Sequence, residues 1–214
     1  MASAAFERFR FSFFEDPYSA RDGLDSASLR ALVGEERTRA EDMLIAFLPD
    51  SRAVIGLGVL RSRRAEPQLT VLFEAERRGQ LNAKGNPDAA WYAHGLMYLV
   101  RTLWLIDPDP RWPAAAIDAL ADGGDWTERE EAAIALFEVG LPEVVPALIA
   151  ALDDTEPLVR YHATRALLSI HGLPADAKDR DNMMFGVMSK EAQRHEGGKR
   201  DILAAIEGRQ ILAQ

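Results

Sequence analysis

Residues 127–154, TEREEAAIALFEVGLPEVVPALIAALDD, and residues 157–172, PLVRYHATRALLSIHG, decide the fold of this chain. Each segment opens with polar residues, continues through leucines spaced by alanines, and meets a glycine where a helix would end. A narrow apolar stripe of this kind cannot form a core alone, so it must pack against a neighbouring helix with a similar stripe. The two segments therefore predict consecutive helix–turn–helix repeats.

Two offsets superpose parts of the chain on one another. An offset of 31 residues aligns Arg160 with Arg129, Ala163 with Ala132, Ala166 with Ala135, and Leu167 with Leu136. An offset of 79 residues aligns Ile134 with Ile55, Leu136 with Leu57, Pro146 with Pro67, and Leu148 with Leu69. The aligned prolines fall in the first turn of each second helix, where a missing N–H costs nothing. The repeat is therefore indicated by prolines and arginines as well as by common apolar residues.

This pattern resembles the HEAT-like repeat family, in the short form also found in phycobilisome-lyase-type proteins. The resemblance is good over residues 127–172 and extends to residues 50–76. The residues that carry it are Val159, Arg160, Ala163, Ala166 and Leu167, together with the segments 145–148 and 152–154. Since the family motif encodes packing rather than chemistry, the resemblance implies no catalytic residue.

The resemblance implies an all-α fold, a right-handed α-solenoid of about five HEAT-like helix pairs. A single domain over residues 1–214 is expected, with repeats at 35–171 between an N-terminal cap at 1–34 and an irregular C-terminal cap at 172–214. The Phe-rich start of the chain is compatible with a strand or with a helix, and with a cap or a docking segment. Near the other end, the pattern predicts a break at Glu196-Gly197-Gly198 and a last helix over 199–212.

The composition limits the possible chemistry. The chain has no cysteine, which excludes disulfides, thiolate zinc sites, iron–sulfur clusters and cysteine nucleophiles. Charged residues interrupt the phenylalanines at the N-terminus, so no secretory signal is expected there. The most apolar run, residues 91–106, is too short for a bilayer span and contains Arg101. A cytoplasmic location without membrane association is therefore predicted.

Acidic residues are concentrated in the middle of the chain. Residues 107–156 hold thirteen acids against Arg111 and Arg129, a local net charge of −11, whereas the whole chain carries −9. A surface of this kind attracts basic proteins and speeds their association. We therefore predict a non-enzymatic protein-interaction module that binds a basic partner, either as an inhibitor or immunity-type protein or as an adaptor.

The predicted contact residues lie on the second helices of the pairs or flank an acidic turn. They are Glu66, Trp112, Asp118, Asp122, Asp125, Trp126 and Glu143. A second set is predicted to hold successive repeats together through arginine–carboxylate contacts. Its members are Arg129, Asp153, Asp154 and Arg160.

No cofactor or metal is predicted. His162 and His171 lie nine residues apart, on opposite sides of one helix, so they cannot ligate one ion together. Glu191 and His195 share a helix face but form only one pair, and His94 lies in an apolar segment. No phosphate-binding or hydrolase motif occurs.

Two other functions stay open. The repeat resemblance alone suggests a phycobilin-lyase-like enzyme or chaperone that binds a tetrapyrrole, which would require a large cavity. Some HEAT-like proteins resemble DNA glycosylases, but nucleic-acid binding would require a basic surface. That surface would have to be formed by Arg61, Arg63, Arg64, Arg77 and Arg78. The negative charge of the central residues 107–156 would act against nucleic-acid binding.

Overall fold

The computed structural model describes residues 2–15, 24–79, 95–174, 181–207 and 209. Within these ranges every regular element is a helix, which confirms the all-α prediction. The chain divides into two compact units, residues 1–109 and 110–214. The handedness, the number of repeats and the single-domain organisation stay predictions.

The first unit contains six helices among its described residues. They are α1 (Ala4–Arg10), α2 (Ser26–Ala31), α3 (Gly34–Ala46), α4 (Ser51–Val59), α5 (Glu66–Arg77) and α6 (Gly95–Ile106). Helix α4 packs against α2, α3 and α6, and α5 packs against α6. Helix α2 begins after Asp25, whose carboxylate caps it by accepting a hydrogen bond from the Ser28 N–H at 2.9 Å.

The Phe-rich N-terminus is helical. Helix α1 continues into a π-helical turn, Phe11–Glu15. Phe6, Phe9 and Phe13 lie on one side and are buried, whereas Phe11 is exposed. Since α1 packs on α2, the three buried rings contribute to the core of the first unit. Of the two conformations that the sequence allows, the structure therefore has the helix.

The second unit contains the two segments that define the repeat. Its helices are α7 (Arg111–Asp122), α8 (Trp126–Val139), α9 (Val145–Ala150), α10 (Pro157–Ile170), α11 (Asp181–Met188) and α12 (Ala192–Ile206). Short 3₁₀ turns, Pro142–Val144 and Ala151–Asp153, extend α9 at both ends. Helix α8 packs between α7 and α10, α9 packs on α10, and α11 packs on α12.

The leucines that the repeat offsets align lie in the cores of the two units. Leu57, Leu69, Leu136, Leu148 and Leu167 are all fully buried. The turns after α8 and α10 also have their expected form. Gly140 and Gly172 adopt left-handed backbone angles, with φ of 65° and 66°, which a side chain would disfavour.

The predicted break at Glu196-Gly197-Gly198 is wrong, because α12 runs through it without interruption. The physical reason for a glycine inside this helix is a close crossing between α12 and α11. A Cβ built on Gly198 would lie 2.5 Å from the carbonyl carbon of Gly186 and 2.3 Å from the amide nitrogen of Val187. Gly198 therefore allows two helix backbones to approach. The predicted last helix is shifted accordingly, and residues 208 and 210–214 lie outside the described residues.

Other predictions fall partly outside the described ranges. The sequence also predicts a loop over the glycine- and asparagine-rich residues 77–88; most of these residues, and His94, lie among those that the structure does not describe. The repeat pattern also predicts a helix pair formed by residues 91–106 and 113–121; the corresponding helices, α6 and α7, belong to different units, so this pairing stays a prediction. In the parts of the chain that the structure describes, no helix is both long and apolar enough to cross a bilayer.

Candidate functional site

A groove opens in the second unit between α7 and α9, the second helices of two predicted pairs. It has a volume of about 330 Å³, and short apolar side chains form most of its lining. The lining residues are Leu120, Ala121, Ala147, Ala150, Ala151, Asp153 and Asp154. Because alanine has the smallest side chain after glycine, the space between the two helices is left open to solvent.

Three of the predicted contact residues are exposed on the second unit. Asp118 and Asp122 lie on α7, and Glu143 lies in the turn before α9. Their carboxylates make no hydrogen bond or ion pair with any residue that the structure describes. Asp118 and Asp122 are four residues apart, so they lie on one side of their helix together with Ala121. These three acidic residues therefore lie at the surface of the second unit.

The remaining predicted contact residues have different environments. Trp112 is only 2% exposed, so the prediction that it contacts a partner is wrong: its indole fills the core. Trp126 is 43% exposed at the start of α8, where a partner can reach it. The Asp125 carboxylate caps α8, accepting hydrogen bonds from the N–H groups of Thr127 and Glu128.

Glu66 belongs to the first unit, at the start of α5. Its carboxylate lies 3.8 Å from the guanidinium of Arg63. The structure therefore does not place Glu66 in the same compact unit as the other predicted contact residues.

Arg129 holds consecutive parts of the repeat together. Its Nε donates to Asp154 Oδ2 at 2.6 Å and its Nη2 donates to Asp154 Oδ1 at 3.1 Å. Its Nη1 donates to the carbonyl of Gly123, six residues earlier. Since Asp154 follows α9 and precedes α10, Arg129 joins the start of its own repeat to the start of the next.

Arg160 makes the equivalent connection with different partners. Its Nη1 donates to the carbonyl of Asp154, again six residues earlier. The predicted contacts with carboxylates are wrong, because the other donors reach main-chain carbonyls at the end of α11. These are Val187 at 2.6 Å, Met188 at 3.1 Å and Ser189 at 2.9 Å.

Asp153 pairs with a residue that the sequence does not indicate. Both of its carboxylate oxygens lie 2.5 Å from Nζ of Lys199, on α12. The lysine is 46 residues further along the chain, and no local spacing connects the two. Asp153 therefore contacts neither Arg129 nor Arg160 in the described part of the structure.

Burial and hydrogen bonding shift two pKa values in this region. Burial raises the pKa of Asp154, but the hydrogen bonds from Arg129 and from the Glu156 N–H outweigh it, so the net shift is downward. Burial lowers the pKa of Arg160, and the nearby carboxylates of Asp154 and Glu156 oppose this effect. The downward shift favours the charged carboxylate form of Asp154 at neutral pH.

Two histidines contact main-chain carbonyls. His171 Nδ1 lies 2.7 Å from the carbonyl of Leu167, and His195 Nε2 lies 2.7 Å from the carbonyl of Leu152. Among the residues that the structure describes, no three histidines or carboxylates are arranged to hold a metal ion.

Part of the proposed basic surface is already neutralised. Arg63 pairs with Asp107 at 3.2 Å, and Arg64 pairs with Glu41 and Asp42 at 3.1 and 2.6 Å. These ion pairs leave less positive charge for a phosphate backbone.

An apolar groove in the first unit was not anticipated from the sequence. Its volume is about 380 Å³, and Val71 on its edge is well exposed. It lies beside the turn after α3 and along α5. The signal that could have indicated it is a second apolar stripe on α5, formed by Pro67, Val71 and Leu72.

The comparisons with known proteins agree with this architecture. The family model described as HEAT repeats matches residues 113–179, which contain most of α7 together with α8, α9 and α10. No curated protein matches the chain. The finer resemblance to phycobilisome-lyase-type proteins stays a prediction, whereas HEAT repeats generally mediate contacts between proteins. Residues 113–179 are therefore similar to HEAT repeats.

Proposed function

We propose that this chain is a non-enzymatic interaction module whose second unit binds a basic partner protein, as an inhibitor, an immunity-type protein or an adaptor. The observation that carries the proposal is the set of exposed carboxylates on Asp118, Asp122 and Glu143, which have no cationic partner among the described residues. A cytoplasmic location is part of the same proposal.

Electrostatics gives this surface a defined role in binding. Exposed like charges raise the local potential, which attracts an oppositely charged protein and increases the association rate. Salt screens such contacts over about 10 Å at 0.1 M ionic strength. A complex formed through this surface should therefore form more slowly as salt is added.

The experiment is affinity capture from extracts of cells that produce the chain. The wild-type chain is compared with D118N/D122N/E143Q, in which the three exposed carboxylates of the second unit are neutralised. A matched control, E196Q/D201N/E207Q, removes the same charge from exposed positions on and after α12. Mass spectrometry identifies the proteins retained on each.

We expect a basic protein that is retained by the wild-type chain and by the control, and lost from the first variant. Its association rate, measured with the purified proteins, should fall with added salt. Equal retention by all three chains, or specific retention of an acidic protein, would overturn the proposal. Release of a nucleic acid or of a coloured tetrapyrrole from the purified chain would favour one of the other two functions.

A further inference from the structure

Two aspartates at equivalent repeat positions have different partners. The offset of 31 residues that aligns Arg160 with Arg129 also aligns Asp153 with Asp122. Asp153 is paired with the ammonium group of Lys199. Asp122 is exposed at the end of α7 and forms no ion pair with a described residue.

The groove lies beside both aspartates, and its floor is mostly apolar, although Asp154 also lines it. Asp153 is one of its lining residues, and Asp122 directly follows the lining residue Ala121. Ala147 and Ala150 line the same groove from α9. Short side chains on both helices leave room for the backbone of another chain segment, which would contact apolar surface while its own charges remain at the edge.

Cations within this stretch are already engaged. Residues 110–174 contain four arginines and no lysine. Arg129 and Arg160 bind between repeats. Arg111 stacks on Trp112 at 4.6 Å, and Arg165 lies 5.2 Å from the ring centre of Phe137. The exposed acids near the groove therefore favour a cation supplied by another molecule.

We propose that the groove between α7 and α9 binds a lysine-bearing segment of a partner protein. The ammonium group of that lysine pairs with the carboxylate of Asp122, in the same way as the ammonium group of Lys199 pairs with the carboxylate of Asp153. The inference rests on the proposed function and specifies the occupant. Lysine is favoured because the chain's own example is an ammonium group that contacts both carboxylate oxygens. The apolar floor receives the small side chains and backbone of the segment.

The probe is a short dye-labelled peptide of lysine and alanine, with binding followed by fluorescence polarisation at low salt. The same peptide with acetylated lysines should not bind. Asp122→Asn should weaken binding about two- to fivefold, the range that exposed ion pairs contribute. Asp201→Asn removes an equal charge from the exposed side of α12 and serves as its control. Equal losses in the two variants would contradict a contact at Asp122.

A second variant predicts a change in the opposite direction. Lys199→Ala frees the Asp153 carboxylate beside the same groove, so the affinity for the lysine peptide should rise about two- to fivefold. Arg200→Ala makes the same change in net charge at the neighbouring exposed position of α12. An unchanged affinity in Lys199→Ala, or an equal rise in both variants, would overturn the proposed equivalence of Asp122 and Asp153.

A third variant tests the groove at constant charge. Ala150→Leu should fill part of the space and weaken peptide binding about tenfold, since the added side chain would overlap the segment. Ala204→Leu places the same side chain on an exposed part of α12. Circular dichroism melting checks that both variants are folded. Full binding by folded Ala150→Leu would overturn the groove proposal. In that case the proposed function would still be supported if D118N/D122N/E143Q failed to retain the captured partner and the control E196Q/D201N/E207Q retained it.

Discussion

The guanidinium of Arg129 donates two hydrogen bonds to the carboxylate of Asp154, from Nε to Oδ2 at 2.6 Å and from Nη2 to Oδ1 at 3.1 Å. Arg129 lies in the first turn of α8, and Asp154 lies between α9 and α10. Both side chains are mostly removed from solvent. A bidentate pair of this kind restricts orientation as well as distance, so it fixes where the next repeat begins.

The Arg129–Asp154 pair predicts a pH dependence of stability. The pKa of Asp154 is lowered in the folded chain, so its contribution is complete above the unfolded value of about 3.9 and is lost as the pH falls through the folded value. Asp154→Asn should therefore destabilise the chain at neutral pH, and its difference from wild type should shrink below about pH 4. Urea unfolding of both chains across this pH range measures the difference in their free energies of unfolding. A difference that widens on acidification would contradict a stabilising role for the charged Asp154 carboxylate.

Arg160→Lys should lower the free energy of unfolding by roughly 1–3 kcal/mol, because an ammonium group cannot reproduce the four hydrogen bonds of the buried guanidinium. Partner binding by the folded variant should be intact. Arg200→Lys, at an exposed position, is the control and should change stability by less than about 0.5 kcal/mol. Lost binding at an unchanged melting temperature would make Arg160 a recognition residue.

Leu136→Ala and Leu167→Ala should each destabilise the fold by roughly 2–5 kcal/mol, as truncation of a fully buried leucine does. Leu158→Ala provides the comparison, because Leu158 lies on the same helix as Leu167 and is 37% exposed. Chemical denaturation gives the three values. Losses at Leu136 and Leu167 as small as that at Leu158 would mean that the core side of α8 and α10 has been misassigned.

The adjacent glycines of α12 should respond in opposite ways to alanine. Gly198→Ala brings a methyl group against the backbone of α11 and should destabilise the second unit. Gly197→Ala meets no atom within 4 Å, and should stabilise α12 by roughly 0.5–1 kcal/mol through its better helix propensity. Thermal melts of the two variants provide the comparison. A stabilising effect at both positions would show that α11 and α12 do not cross so closely.

His162 predicts a second pH dependence, at milder acidity. Burial and the nearby guanidinium of Arg165 lower its pKa, whereas Glu130, whose Oε1 lies 3.3 Å from its Nε2, would favour the protonated form. We expect burial to dominate because both side chains are largely enclosed. With a lowered folded pKa, stability is present above the unfolded value of about 6.5 and decreases on acidification below it.

His162→Gln removes this titration, so its stability should vary less than that of wild type between about pH 7 and pH 5. Urea unfolding at each pH is the measurement. If the wild-type chain instead becomes more stable as the pH falls through this window, the Glu130 contact dominates and the expected sign is wrong.

Local periodicity was enough to predict most of the fold. Leucine and alanine spacing identified α8 and α10, and the following glycines marked their ends, because helix amphipathicity and left-handed turns depend on short stretches of sequence. The exposed acids Asp118, Asp122 and Glu143 were predictable for a similar reason. Charged side chains on a helix are usually solvated when no cation lies within reach.

Features that depend on tertiary contact could not be predicted in this way. Gly198 looked like a helix break, since only the approach of α11 shows why a glycine is required there. Lys199 reaches Asp153 from another helix, and no spacing indicates it. Trp112 adjoins an acidic turn in sequence, which suggested exposure, but the packing of α7 encloses its ring.

The carbonyl contacts of Arg160 affect how the chain can change during evolution. An arginine–carboxylate pair constrains two positions of the sequence, because loss of either side chain leaves the other without its partner. Arg160 instead binds main-chain oxygens of residues 187–189, and every amino acid carries one. Positions 188 and 189 can therefore change without releasing the guanidinium, provided that their backbone keeps its path. This junction between repeats thus depends on one side chain, that of Arg160, rather than on two.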